Sequence, residues 1–125
     1  MISHSIDIYK EEILDHYENP SNYGILENPD ISHEGDNPVC GDSIRIDIKV
    51  ENSVITDIRF CSEGCVISQA AASMLTEKIK GQHLDIIEKL CKEDVLEMLG
   101  IRLSPIRLKC GLLALNVAKQ CAKRV

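Results

Sequence analysis

Apolar side chains recur along the chain at two periods, and the switches between them mark its elements. Ile6, Tyr9, Ile13 and Tyr17 follow at spacings of three, four and four, which predicts a helix over about residues 7–17. Asn19-Pro20-Ser21-Asn22-Tyr23-Gly24 supplies turn formers that stop it. Residues 25–39 show no regular period, with Asn28-Pro29 and Asn37-Pro38 as turn signals, and are expected to be mobile. The period then drops to two. Ile44, Ile46, Ile48 and Val50 alternate with Arg45, Asp47 and Lys49, and Val54, Thr56, Ile58 and Phe60 repeat the alternation after Glu51-Asn52-Ser53. Two such runs predict an antiparallel hairpin with one buried face. A lone hairpin is marginal in water, so helices must cover that face.

The helical period returns over about residues 66–80, with Ile67, Ala71, Met74 and Leu75 inward and Gly81 as a C-terminal cap. Small residues dominate positions 68–73 and allow close backbone approach. Two short helices are expected near residues 82–90 and 93–99, the second ended by Gly100. Ser104-Pro105 is a helix start, a side-chain cap followed by proline. Leu108, Leu112 and Leu115 then mark the inward face of a last helix reaching about Ala122. The order of helix, hairpin and helices predicts an α+β fold: a small antiparallel sheet packed against about five helices.

Composition narrows the chemistry. The 125 residues suit a single domain spanning 1–125. The formal net charge of −6 argues against nucleic acid, whose phosphates need a clustered basic surface. No apolar run approaches the ~20 residues of a membrane helix. The first ten residues lack the basic start and apolar stretch of an export signal, which points to the cytoplasm. Six cysteines in a reducing compartment imply metal ligation, sulfur chemistry or burial rather than disulfides.

Three cysteines stand in chemically suggestive places. Cys40-Gly41-Asp42 puts two ligand types two residues apart, with Gly41 free to turn both toward one point; taken alone, the pattern favours a loop cysteine with a solvated aspartate. Cys65 follows Glu63-Gly64 at a helix start, where unpaired N–H groups favour a thiolate; burial is the competing reading. Cys110 lies early in the last helix, where Lys109 and Arg107 would lower its pKa if they faced the same way; otherwise it is a core cysteine. No C-x-x-C pair supports a zinc finger. Cys91 and Cys121 are expected on structural helix faces, Cys61 is a weaker ligand candidate, and the four histidines form no local pair. No nucleophile–base pairing points to an enzyme acting alone.

Four stretches carry a family resemblance: Asp15-His16-Tyr17-Glu18-Asn19-Pro20, Asn37-Pro38-Val39-Cys40-Gly41-Asp42, Glu63-Gly64-Cys65 through Ala70-Ala71-Ala72-Ser73-Met74-Leu75-Thr76-Glu77, and Leu103-Ser104-Pro105-Ile106-Arg107-Leu108-Lys109-Cys110. With these the chain resembles the iron–sulfur cluster assembly scaffolds, the IscU/SufU family and the N-terminal domain of NifU. The resemblance implies a three-stranded sheet, its third strand drawn from the irregular stretch before Cys40. It implies that Cys40, Asp42, Cys65 and Cys110 are the ligands, and that Cys110 is the candidate sulfur acceptor. The implied function is a scaffold, not an enzyme, that assembles a [2Fe–2S] cluster from iron and desulfurase-derived sulfur and passes it to apo-proteins. The alternative is a zinc-bound SufU-like sulfurtransferase that accepts persulfide sulfur at the same four ligands.

Two departures qualify the resemblance. Lys109 stands where IscU-type scaffolds carry a histidine, and an ammonium has no lone pair to give a metal. This resembles SufU, yet only 44 residues separate Cys65 from Cys110, without the SufU insertion. Leu103-Ser104-Pro105-Ile106-Arg107 replaces the Leu-Pro-Pro-Val-Lys run of IscU, which speaks against a dedicated Hsp70 chaperone. The implied partners are a cysteine desulfurase, with Ile8 and Tyr9 of the first helix as part of its contact, and apo iron–sulfur acceptors. A homodimer stays open.

Overall fold

The computed structural model describes residues 11–124. The expected desulfurase contact at Ile8 and Tyr9 lies outside them, as does the start of the first helix. What is described of that helix is α1, Glu11–Glu18. Its Ile13 is fully enclosed, whereas Tyr17 is exposed.

Three strands form an antiparallel meander in the order β1-β2-β3: β1 Ile31–Asn37, β2 Asp42–Glu51 and β3 Val54–Glu63. The β2–β3 link turns at Asn52 and Ser53, both at positive φ (52° and 64°), the handedness that matches strand twist in a two-residue hairpin. A register shift between Lys49 and Val50 precedes it. The stretch expected to be irregular thus contains β1. Its alternation is hidden because the positions facing Ile48, Ile46, Ile44 and Asp42 are Ile31, His33, Gly35 and Asn37, only the first of them strongly apolar. Gly35 is small by necessity, since a Cβ there would lie 2.7 Å from Val117 Cγ2.

The helices after the sheet are α2 Val66–Ile79, α3 Asp85–Lys89, α4 Lys92–Leu99 and α5 Pro105–Ala122. Helix α5 packs on β1 and β2, α2 packs on β3, and the two helices pack together. Ile44, Ile46, Ile48, Ile58 and Phe60 meet Ile67, Ala71, Leu75, Leu113 and Val117 in one aliphatic core. The leucine stripe expected on α5 is shifted. Leu115 is enclosed as expected, but Leu108 and Leu112 are only half-buried, while Cys110, Gly111, Ala114 and Ala118 are enclosed, because small side chains let α5 lie close on the sheet.

Residues 22–30 strap the sheet. Asn22 O accepts from Phe60 N–H and Gly24 N–H donates to Phe60 O (2.9 and 2.8 Å), and Asp30 N–H donates to Ile48 O (2.9 Å). Midway, Leu26 N–H donates to Asp47 Oδ2 (3.1 Å). Among the described residues no helix is long and apolar enough to cross a membrane.

Candidate functional site

The β1–β2 hairpin end, the start of α2 and the second turn of α5 meet at one end of the sheet. Residues 38–41 close the hairpin, held by Asn37 O, which accepts from Cys40 N–H (3.2 Å) and Gly41 N–H (2.9 Å). Gly41 has φ +72°, a conformation most side chains avoid. This turn presents Cys40 half-buried and starts β2 at Asp42, which is 1% exposed. Ligand atoms of Cys40, Asp42 and Cys110 all lie within 4.8 Å of one another. The Cys40 and Cys110 sulfurs are 2.9 Å apart.

Cys65 is the N-cap of α2, at the helix start that its sequence position predicts. Its N–H donates to Asp42 Oδ1 at 2.9 Å, so the helix N-terminus steadies the carboxylate. Ser68 fixes the cap: its hydroxyl donates to Cys65 O (3.0 Å), and the Cys65 thiol points toward Ser68 Oγ (3.8 Å). Gly64, at φ +148°, leaves the space that Asp42 fills, since a Cβ there would collide with Asp42 Oδ1.

Asp42 Oδ2 is the telling atom. It is buried with no hydrogen-bond partner among the described residues. An enclosed carboxylate oxygen without a donor is costly, and its neighbours are sulfurs. A cation in the cluster would satisfy it. The structure brings two thiols and a carboxylate within 4.8 Å of one another, and the Cys65 sulfur lies outside that group. Thiolates and a carboxylate are donors that zinc and iron both accept, so the residues present fit such a group.

Cys110 is 1% exposed, and Lys109 and Arg107 are exposed to solvent. The expectation that these cations would lower its pKa is therefore corrected. Burial first, then the crowding of Cys40, Asp42 and Cys65 around it, holds the Cys110 thiol well above the ordinary range.

The other cysteines stand apart from the cluster. Cys121 is buried beneath β2, and burial pushes its thiol up to about 11, as expected of a structural cysteine. Cys91 is not on a structural helix face: it is the exposed N-cap of α4, its N–H donating to Asp94 Oδ2 at 2.8 Å. Cys61 faces Arg45 across the sheet. Among the described residues no histidine joins the cluster. His16 instead pairs with Ser73 (2.7 Å), tying α1 to α2. Sequence reasoning missed Asn37, Gly64 and Ser68. Asn37-Pro38 reads as a turn and Ser68 as a small helix residue, and only a glycine just before a helix-start cysteine hinted at Gly64.

A family model described as the NifU-like N terminal domain matches residues 8–124. The iron-sulfur cluster assembly scaffold protein IscU of Aquifex aeolicus is 43% identical over 115 residues, spanning 88% of this chain and 73% of that protein. The zinc-dependent sulfurtransferase SufU of Bacillus subtilis is 35% identical over 124 residues, spanning 86% of this chain and 84% of that protein. A solved nitrogen-fixing NifU-like protein (N-terminal) from Brucella abortus has the same fold, with a TM-score of 0.82 over 98% of this chain and 96% of that one at 21% identity. The match runs through every element that builds the cluster, and the chain belongs to the NifU-like N-terminal domain family.

Proposed function

We propose that this chain, residues 1–125 acting as one domain, is a scaffold on which a [2Fe–2S] cluster is assembled and then surrendered to apo-proteins. The observation that carries the reading is the orphaned Asp42 Oδ2 beside two sulfurs 2.9 Å apart. Its relatives named as cluster assembly scaffolds support it. Iron and sulfide are cargo here, and the protein's part is to hold and release them. Cys40, Cys65 and Cys110 are the thiolate ligands, the usual kind for such clusters. Asp42 is the fourth. A carboxylate oxygen is harder than thiolate and suits cluster iron less well, so it leaves one iron exchangeable.

Sulfur enters by transfer from a cysteine desulfurase. A Cys110 thiolate attacks the terminal sulfur of the desulfurase persulfide, a new S–S bond forms on Cys110, and the desulfurase cysteine leaves as thiolate. Cys110 is enclosed while Cys40 is half-buried, so this step requires the 38–41 loop to open. Turnover of chemistry belongs to the desulfurase; this chain carries the product. Thiols that must stay reduced suit a cytoplasmic setting.

The test is anaerobic reconstitution with iron, cysteine and a desulfurase, read by visible absorption and by transfer to an apo-ferredoxin. The expected result is a cluster that the acceptor removes. With Asp42→Ala the cluster persists longer and transfer slows about tenfold, the lower end of effects at metal shells. Equal transfer rates would remove Asp42 from the release step. A zinc form that accelerates desulfurase turnover without assembling any cluster would instead assign the chain the sulfurtransferase role carried in the Bacillus relative's name.

A further inference from the structure

One residue reaches both members of the close sulfur pair. Asn37 is the last residue of β1, opposite Asp42, and is enclosed at 8% exposure. Its main-chain carbonyl closes the loop that carries Cys40. Its carboxamide points across to α5, with Nδ2 4.0 Å from Cys110 Sγ. Pro38 follows it, which keeps Asn37 in extended backbone.

We infer that Asn37 is a positioning residue for the Cys40–Cys110 sulfur pair, its side-chain N–H donating to the Cys110 sulfur when that sulfur holds cargo. The inference rests on the ligand role proposed above for Cys110. A carboxamide has a donor end and an acceptor end. An oxygen facing an enclosed thiolate is repelled, whereas the N–H₂ end is attracted. The 4.0 Å separation suits a neutral thiol, a weak acceptor, and a thiolate draws the donor closer. A hydrogen bond to a ligating sulfur lowers the energy of its lone pairs. It fixes the direction in which the sulfur presents them and weakens their donation to the metal. The backbone part of Asn37 survives any side-chain exchange, so substitution isolates the carboxamide.

The experiment titrates cobalt(II) into the metal-free full chain and its Asn37→Leu and Asn37→Ala variants, with affinity read by chelator competition and sulfur donation by the charge-transfer band. Leucine fills a comparable space without an N–H. Both variants are expected to move the band to lower energy, because the sulfur's lone pairs rise without the N–H, and to lose about tenfold or more in affinity, because the lost aim of the sulfur outweighs its stronger donation. Retention of wild-type affinity and band position by Asn37→Leu, with loss only in Asn37→Ala, is the signature of mere packing and overturns the inference. Cadmium-113 loading of the unsubstituted protein gives a reading free of folding effects. Scalar coupling between cadmium and the Asn37 side-chain amide, abolished in Cys110→Ser, is expected, and its absence overturns the inference. If the unsubstituted chain shows no thiolate charge-transfer band at all, the ligand reading itself fails. A normal band there, unshifted in both variants, sinks only the role of Asn37.

Discussion

The cluster works through atoms that lack something. Asp42 Oδ2 lacks a donor, Gly64 lacks the side chain that would displace it, and two sulfurs crowd within 2.9 Å without a bond. Gly64→Ala is expected to push the carboxylate aside and cost about tenfold or more in zinc affinity. Because the two residues share one space, Gly64→Ala and Asp42→Ala should not add, and a double-mutant cycle on zinc affinity checks this. Strict additivity would mean that the glycine acts on the backbone alone. The sulfur pair makes a second prediction. With a small-molecule disulfide as oxidant, the metal-free chain forms a Cys40–Cys110 bond: both thiols lose their protons, and the oxidant's disulfide is reduced to two thiols. Two of the six thiols then vanish from a thiol count and the mass falls by two hydrogens. Cys40→Ser should block the reaction, Cys65→Ser should not, and zinc should protect. Cys121, buried beneath the sheet, should survive untouched.

Each proposed ligand owes its place to an element that starts or ends near the cluster. The β2–β3 hairpin sets the sheet against which α2 and α5 lie, and its turn is imperfect. Ser53 sits at φ +64° without being glycine, while its carbonyl accepts from Leu84 N–H at 2.7 Å. Ser53→Gly keeps that bond and removes the left-handed strain, so it should stabilise the fold by about 0.5–1 kcal/mol. Thermal melting would show a rise of a few degrees, and a fall would mean that serine's smaller backbone entropy in the unfolded chain outweighs the strain. The same elements show what a sequence reveals. Strand β2 and the second half of β3 are readable because one face packs and the other meets polar groups, which forces alternation; at the start of β3 the register shift at Lys49 and Val50 turns Ile55 inward and leaves Thr56 exposed. Strand β1 is not readable, because its inward side carries Gly35 beneath Val117 and Asn37 at the cluster. The buried face of α5 departs from the expected leucine stripe for a related reason: Leu115 is enclosed, but close approach puts Gly111, Ala114 and Ala118 inward while Leu108 and Leu112 stay half-buried. At the site, Cys65 was legible as a helix start. Cys110 was equivocal, since its partners lie across the fold, and family resemblance rather than spacing united the four. Asn37 and Gly64 act through contacts with distant residues, for which local sequence has no signature.

Over the whole molecule, the strap is fastened to the face of the sheet opposite the helices. There Asp47, 1% exposed, gathers separate parts of the chain: Oδ1 accepts from Ser32 Oγ (2.6 Å) and Arg45 Nε (2.9 Å), and Oδ2 from Leu26 N–H. Burial alone would raise its pKa, but hydrogen bonds from Arg45, Ser32 and the Leu26 amide, with the Arg45 charge, together hold it below the usual carboxylate range. The folded state therefore binds this proton less readily than the unfolded chain does. Its contribution to stability is complete above the unfolded value near ~3.9 and is lost as pH falls through the lower folded value. Asp47→Asn should cost on the order of 1–3 kcal/mol at neutral pH, the scale of hydrogen bonds to a charged group. In urea unfolding the gap between variant and parent should narrow below about pH 4 as the parent's carboxylate takes up its proton. Added salt should leave the neutral-pH gap nearly intact, because the carboxylate is enclosed and screening acts mainly on exposed charges. A gap that stays constant into acid would mean that the strap is held by shape rather than by the charge on Asp47.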